Sequence, residues 1–224
     1  MKKEDYRAIF DMDGTLYQFD KGEGKEFTSS RFYGDLKNNV YGFFMARRGI
    51  SREIAISEYE RIKAKYNGEI SIGVETEYEI DRYEYFRETW GTLNPMDYID
   101  ANENLPEVFN ALRGKIALLT TAPRIWALNV LAYLQVKDVF DTAIYTGEPN
   151  LRKPNPLIFQ KIADNFGAIP SLVFSIGDQE ISDIIPAKTI GMKTIKIGNG
   201  ETQADYQIDN VLLAINLLRK EGFL

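Results

Sequence analysis

Two aspartates, Asp11 and Asp13, stand two residues apart where a short apolar stretch gives way to Gly14. A carboxylate pair at that spacing faces one space only if the chain bends between them, and Gly14 permits the bend. The alternative is a solvent-facing turn carrying two ordinary aspartates. A second acidic group lies far along the chain, in Gly177-Asp178-Gln179-Glu180-Ile181-Ser182-Asp183. If a helix starts near Glu180, its first turn brings Asp183 close to the loop that bears Asp178. Four carboxylates gathered from two strand ends suggest an Mg2+ site, because this hard cation takes oxygen ligands. Helix capping by Asp178 and a dipole contact by Asp183 are the competing structural roles.

Thr120 and Lys153 add complementary groups. A hydroxyl at a strand end can hydrogen-bond a phosphoryl oxygen, and a lysine can neutralise its charge. Their bland counterparts are a strand-ending threonine and a surface lysine. Pro154, directly after Lys153, supports a constrained loop rather than a helix interior.

Composition narrows the chemistry further. The 224-residue chain contains no histidine and no cysteine, which removes imidazole bases, thiol nucleophiles, disulfides and the usual zinc sites. Acid–base work falls to carboxylates, lysine or tyrosine. An apolar fraction of 44% is enough for a sizeable core. Asp plus Glu number 33 against 27 Lys plus Arg, and the net charge of −6 argues against broad nucleic-acid binding. No segment reaches membrane-spanning length, and the opening Met1-Lys2-Lys3-Glu4-Asp5 turns into a strand without an apolar signal core. A soluble, cytoplasmic protein is the expectation.

The elements that must position these groups alternate along the chain. Residues 6–10 read as a strand delivering Asp11 at its carboxyl end, the edge at which a parallel sheet binds ligands. Residues 115–119 form a second strand ending at Thr120, residues 142–145 a third, residues 172–176 a fourth ending at Gly177-Asp178, and residues 194–197 a further one. A helical pattern carrying Trp126, Val130, Leu131 and Leu134 follows the second strand. Another, with Leu157, Ile158, Ile162 and Phe166, opens at Pro156 and closes at Gly167. The alternation predicts an α/β fold with helices covering a parallel sheet. Residues 205–208 and the amphipathic stretch 211–218 finish this domain before Phe223-Leu224.

Residues 17 to about 95 differ, because their apolar positions recur at helical spacing and they are rich in tyrosine and phenylalanine. They read as a small helical domain. Phe32, Leu36, Val40 and Phe43 share one helix face, and Tyr83, Phe86 and Trp90 share another. Ser51 caps a helix running through Tyr59, Ile62 and Tyr66, while Asp81 with Glu84 caps a later one. The aromatic excess reads as core packing rather than a nucleobase platform.

Taken in order, Asp11-Met12-Asp13-Gly14-Thr15, the segment ending at Thr120, Lys153-Pro154, and Gly177-Asp178 through Asp183 resemble the four motifs of the haloacid-dehalogenase-like (HAD) hydrolase superfamily. Asp13 places the resemblance in the phosphatase branch. It covers nearly all of the main domain and implies a Rossmann-like three-layer parallel-sheet core of residues 1–16 plus 96–224, with a helical cap of residues 17–95 inserted after the first motif. The cap resembles those of small-metabolite phosphatases and, more loosely, pyrimidine-nucleotidase-like members.

By that resemblance, Asp11 is the nucleophile that becomes an aspartyl phosphate, and Asp13 first protonates the leaving group and then takes a proton from water. The Asp11 side chain, the Asp13 backbone carbonyl and Asp178 would bind Mg2+, with Asp183 a ligand directly or through water. Thr120 and Lys153 would hold the phosphoryl oxygens. Thr15 would buttress the loop, or else be an exposed structural hydroxyl, and the cap would close over the site. Two departures stand out: Thr121 follows Thr120 where Asn is frequent, and Tyr17-Gln18-Phe19-Asp20 replaces the Asp-Ser or Asp-Thr pair frequent in sugar-phosphate mutases and phosphoglycolate phosphatases. Tyr17, Arg47, Arg48 and Arg124 could approach substrate, but helix-surface or loop-solvation roles are the first expectation for them.

The resulting expectation is an Mg2+-dependent phosphatase acting on a small phosphomonoester, with nucleotides among the candidates. The alternatives are a phosphomutase and a non-catalytic, metal- or metabolite-binding HAD-like protein. A monomer or homodimer without nucleic-acid or membrane partners is expected.

Overall fold

The computed structural model describes residues 5–22, 27–220 and 222, so the opening residues 1–4 and the ending Phe223-Leu224 lie outside the described residues. The chain divides into two compact units, Met1–Gln18 with Ile99–Leu224, and Phe19–Tyr98.

Among the described residues the first unit has six strands: β1 (Arg7–Phe10), β2 (Ile116–Leu119), β3 (Ile144–Tyr145), β4 (Val173–Gly177), β5 (Lys193–Ile197) and β6 (Tyr206–Ile208). They form one sheet in the order β3-β2-β1-β4-β5-β6, with every pairing parallel. After β1 the chain adds β2 and β3 on one side, then returns to place β4 to β6 on the other. The strand order therefore reverses between β1 and β4, and the crevice outside their carboxyl ends is where an open parallel sheet binds ligands. Register aligns Phe10 with both Leu118 and Ile176, so the first residues beyond β1, β2 and β4 emerge at one edge. These residues are Asp11, Thr120 and Asp178.

The second unit is helical, as its 3.6-residue pattern predicts. It contains α1 (Arg31–Arg48), α2 (Arg52–Lys65), α3 (Ile70–Tyr78) and α4 (Arg82–Thr89). Ser30 caps α1 by accepting the Tyr33 amide, Ser51 caps α2 through Ile54, and Asp81 caps α4 through Tyr83 and Glu84. Phe32, Leu36, Val40 and Phe43 are all buried on α1. The stripe expected on α4 requires correction, because Tyr83 is 66% exposed whereas Tyr85 is buried. Tyr83 lies in the capped first turn, and the inward face begins two residues later, where Tyr85 meets Phe43 edge-on at 5.3 Å. Phe32 contacts Trp90 at 5.6 Å and Tyr98 at 5.2 Å, so the aromatic excess fills this unit's interior. Arg47 pairs with Glu84 and Glu88. Arg48 pairs with Glu58 at 2.6 Å and covers the Tyr78 ring.

Around the sheet lie α5 (Leu105–Asn110), α6 (Arg124–Tyr133), α7 (Lys137–Phe140), α8 (Pro156–Phe166), α9 (Ile185–Thr189) and α10 (Val211–Lys220). Side chains of successive strand residues point to opposite faces. Ile9, Ala117, Leu119 and Val173 pack with Ile158, Phe159 and Ile162 of α8 and Ala187 of α9, whereas Leu157 points outward, 62% exposed. On the other face Phe10 meets Phe109 of α5 at 5.0 Å, and Phe109 meets Phe140 of α7 at 5.6 Å. Asn155 and Gly167 close the two ends of α8. Among the described residues no helix is long and apolar enough to cross a membrane.

Phe109 links the sheet to two helices and is fully buried. Phe109→Ala should cost about 3–5 kcal/mol of stability through lost burial and the cavity left behind. Urea unfolding checks this, and an unchanged midpoint and slope would contradict the packing described.

Candidate active site

Asp11 follows the last residue of β1, and its amide donates to the Ile176 carbonyl of β4 at 2.9 Å. This bond continues the ladder and fixes the backbone from which the carboxylate projects. Lys153 Nζ donates to Oδ1 at 2.7 Å, and the buried Thr15 hydroxyl donates to Oδ2 at 3.1 Å. Thr15 therefore buttresses the loop, and the reading of an exposed hydroxyl falls. Beyond Asp11 the chain turns tightly, with the Thr15 and Leu16 amides both donating to the Met12 carbonyl. Gly14 has a φ of +83°, and a Cβ there would collide with the Asp178 carboxylate. A side chain at this position would thus meet both backbone strain and a steric block.

The β4 end supplies the other two acids. After Asp178 the chain makes one π-helical turn, Glu180–Ile184, and continues into α9. Asp183 in that turn is buried, with Oδ1 receiving Lys153 Nζ at 2.5 Å and Oδ2 receiving the Gln179 amide at 2.9 Å. Gly177 leaves room for it, since a Cβ there would overlap the Asp183 carboxylate. The expected approach of Asp183 to the Asp178 loop occurs. The capping alternative for Asp178 does not, because no side chain caps the π turn. Lys196 of β5 donates to the Asp178 main-chain carbonyl.

One carboxylate oxygen from each of Asp11, Asp178 and Asp183 lies within 4.8 Å of the others. Among the described residues Asp178 Oδ1 is buried without a hydrogen-bond partner, a costly state for a charged oxygen unless a cation meets it. Oxygen-only donors, close spacing and an orphaned acceptor fit a hard divalent cation such as Mg2+.

The Asp13 side chain faces a different set of groups. Its Oδ1 receives the Tyr17 hydroxyl and, at 3.4 Å, the Trp126 indole N–H, while Oδ2 receives the Thr120 hydroxyl at 3.2 Å. The Ala122 amide donates to Thr120 Oγ1 at 3.0 Å, anchoring the loop beyond β2. All six residues singled out in the sequence thus come to one edge of the sheet, Asp11, Asp178, Asp183 and Lys153 in one network and Asp13 with Thr120 in a second.

Burial dominates the electrostatics. It pushes the Asp11 and Asp13 carboxyls above the usual range, against the opposing Lys153 charge at Asp11 and the hydrogen bonds at Asp13. Burial, then the charges of Asp11 and Asp183, raise Asp178 to about 8. Asp183 rises to about 6 for the same first reason, with Lys153 opposing. For Lys153 burial works downward, yet the charges of Asp11 and Asp183 hold it above the ordinary lysine range.

Sequence reasoning missed two contributors. Tyr17 is not a solvated loop residue, since it is buried with its hydroxyl on Asp13. Trp126 reads in the sequence only as part of an apolar helix face. The four-residue spacing of Tyr17 from Asp13 was the available signal for the first. Nothing local marks Trp126, which lies 113 residues from its acceptor. Arg124 anchors its own loop, its amide donating to Glu148 at 2.8 Å and its guanidinium to the Ile144 carbonyl at 3.4 Å.

A parallel sheet with helices on both faces, an inserted helical unit and an acidic crevice at the strand-order reversal define an α/β fold with a Rossmann-like core and a helical cap unit. The family model described as haloacid dehalogenase-like hydrolase matches residues 8–191, and the chain belongs to this family. It is 30% identical over 98 residues to a glyceraldehyde 3-phosphate phosphatase of Pyrococcus furiosus, covering 40% of this chain and 41% of that protein. A protein of the same name from Pyrococcus abyssi is 26% identical over 136 residues, covering 60% and 52%. The chain thus spans about half the length of the curated relatives it matches. Among solved structures it is similar to an HAD phosphatase from Thermococcus onnurineus, with a TM-score of 0.65, 22% identity, and 95% and 97% of the two chains covered. An HAD family hydrolase from Deinococcus radiodurans R1 with bound phosphate and sodium gives a TM-score of 0.55 at 16% identity, covering 100% and 99%. These structural likenesses show the fold.

Asp178 and Asp183 bind protons more tightly in the folded protein than in the unfolded chain. The folded state therefore holds more protons between the ordinary carboxylate range and about pH 8, and this contribution to stability declines as pH rises across that window. Without metal, the melting temperature should fall from about pH 5 to about pH 8, less steeply in Asp178→Asn, and Mg2+ should restore more stability at the higher pH. Melts in a chelator and in Mg2+ test this. A slope identical in the variant, with no Mg2+ effect, would contradict the assignment.

Proposed function

We propose that this chain is an Mg2+-dependent phosphatase that hydrolyses a small phosphomonoester through an aspartyl phosphate on Asp11. The observation that carries the reading is the Asp11 carboxylate at the β1–β4 crevice, held by Lys153 and Thr15 beside a carboxylate cluster suited to a cation. Asp11, Asp178 and Asp183, with the Asp13 main-chain carbonyl, would hold Mg2+, which when bound offsets the repulsion between carboxylate and substrate phosphate.

In the first step an Asp11 oxygen bonds to phosphorus while the ester P–O bond breaks and its electron pair moves to the leaving oxygen. Asp13 supplies a proton to that oxygen. In the second step water attacks phosphorus and gives a proton to Asp13, and the bond from Asp11 to phosphorus breaks, returning the electron pair to the carboxylate. Lys153 and Thr120 orient phosphoryl oxygens and offset their charge. Asp13 suits proton exchange because its environment differs from that of the metal-facing acids, and burial biases it toward holding a proton.

The names of the curated relatives favour a three-carbon sugar phosphate as substrate, and nucleoside monophosphates are the second class to test. A screen of triose phosphates, other sugar phosphates and nucleotides with Mg2+ should show inorganic phosphate released from a small subset. Asp11→Asn should lower that release by roughly three orders of magnitude or more. Undiminished release by a folded, contaminant-free variant would contradict the reading, and a rearranged phosphate ester without release would point to a mutase.

A further inference from the structure

We infer that Tyr17 and Trp126 are positioning residues that pin Asp13 Oδ1, leaving Oδ2 as the oxygen that exchanges protons once phosphate draws Thr120 away. This rests on the phosphatase reading and adds to it a division of labour between the two oxygens of one carboxylate.

The number of protons available fixes the direction of these hydrogen bonds. An indole N–H only donates. The Trp126 N–H lies 3.3 Å from the Tyr17 oxygen and 3.4 Å from Asp13 Oδ1, so its single proton is shared between two acceptors. Tyr17 therefore accepts from Trp126, and its own proton goes to Asp13 Oδ1. Oδ1 thus has two donors, from side chains that are 5% and 0% exposed and enclosed against rotation.

Oδ2 is held differently. Its donor is the Thr120 hydroxyl, which has one proton, and whose oxygen already accepts the Ala122 amide. A phosphoryl oxygen that takes the Thr120 proton must take it from Asp13. Substrate arrival then frees Oδ2 while the carboxylate plane stays fixed through Oδ1. The freed Oδ2 takes up a proton from solvent water, and this proton passes to the leaving oxygen as the ester P–O bond breaks and its electron pair moves to that oxygen. In the second step Oδ2 receives the proton of the attacking water. A carboxylate held at one oxygen presents the other in a constant direction, and orientation is a large part of a proton donor's efficiency.

Filling space in the core would explain the burial of Tyr17 and Trp126, but it predicts no dependence on the leaving group. The test compares kcat/KM of the Mg2+-loaded enzyme for an alkyl phosphomonoester, whose leaving oxygen needs a proton, and for p-nitrophenyl phosphate, whose leaving oxygen does not. In Tyr17→Phe the alkyl-to-aryl ratio should fall about tenfold, in the same direction as a larger fall in Asp13→Asn. Trp126→Phe should shift the ratio the same way, and it decides the matter if Tyr17→Phe does not fold. If Asp13→Asn lowers the ratio but the folded Tyr17 and Trp126 variants keep the parent value, the inference is overturned and the phosphatase reading stands. If Asp13→Asn also keeps the parent ratio, the acid role of Asp13 falls and the inference with it. The parent protein offers an independent readout. The Trp126 indole proton should exchange slowly in NMR with and without inorganic phosphate and Mg2+, and fast exchange in either state would overturn the pinning.

Discussion

Three carboxylates, Asp11, Asp178 and Asp183, approach within 4.8 Å of one another at the edge of the sheet, and Lys153 contacts two of them. At that separation a pair of like charges repels by roughly 3–4 kcal/mol at an effective dielectric of about 20. Three acids against one ammonium leave two formal negative charges, the deficit that a divalent cation cancels. Burial first, and then the charges of Asp11 and Asp183, raise Asp178 to about 8 in the protein alone. Lys153 donates to Asp11 and Asp183, while Asp178 keeps a buried oxygen without a hydrogen-bond partner among the described residues.

The remaining architecture serves to hold this unfavourable cluster in place. The strand-order reversal brings the ends of β1 and β4 side by side. Gly14 and Gly177 remove the side chains that would exclude Asp178 and Asp183. The π turn swings Asp183 back to the Gln179 amide, and the Ser175 hydroxyl holds its carbonyl at 2.8 Å. Asp13, two residues from Asp11, is turned toward Tyr17, Trp126 and Thr120 instead. Two neighbouring carboxylates thus acquire different environments, the difference that the proposed division between an attacking and a proton-exchanging carboxylate requires.

Much of this was legible in the sequence because its signals are local. The apolar runs before Asp11, Thr120 and Asp178 became β1, β2 and β4, and the four ordered motifs identified the family that residues 8–191 match. Helix starts at Ser51 and Asp81 were equally readable, since a cap acts on amides two or three residues away. Features that depend on distant partners were not. Arg47 and Arg48 resemble anion ligands until Glu84, Glu88 and Glu58 are seen beside them. Tyr83 obeys the right period, but its capped turn holds it at the surface. Trp126 looks like any core aromatic, and only the fold brings its N–H to Asp13.

The central claim is that Asp11 carries the phosphoryl group between substrate and water. Borohydride reduces an acyl phosphate to an alcohol, so acid-quenching the enzyme during turnover with Mg2+ and substrate, reducing it and mapping its peptides locates the acyl phosphate directly. Homoserine at position 11, formed only when substrate is present, is the predicted result. Homoserine at Asp13 or Asp178, or an unmodified chain in enzyme trapped before a slow dephosphorylation step, would contradict the account.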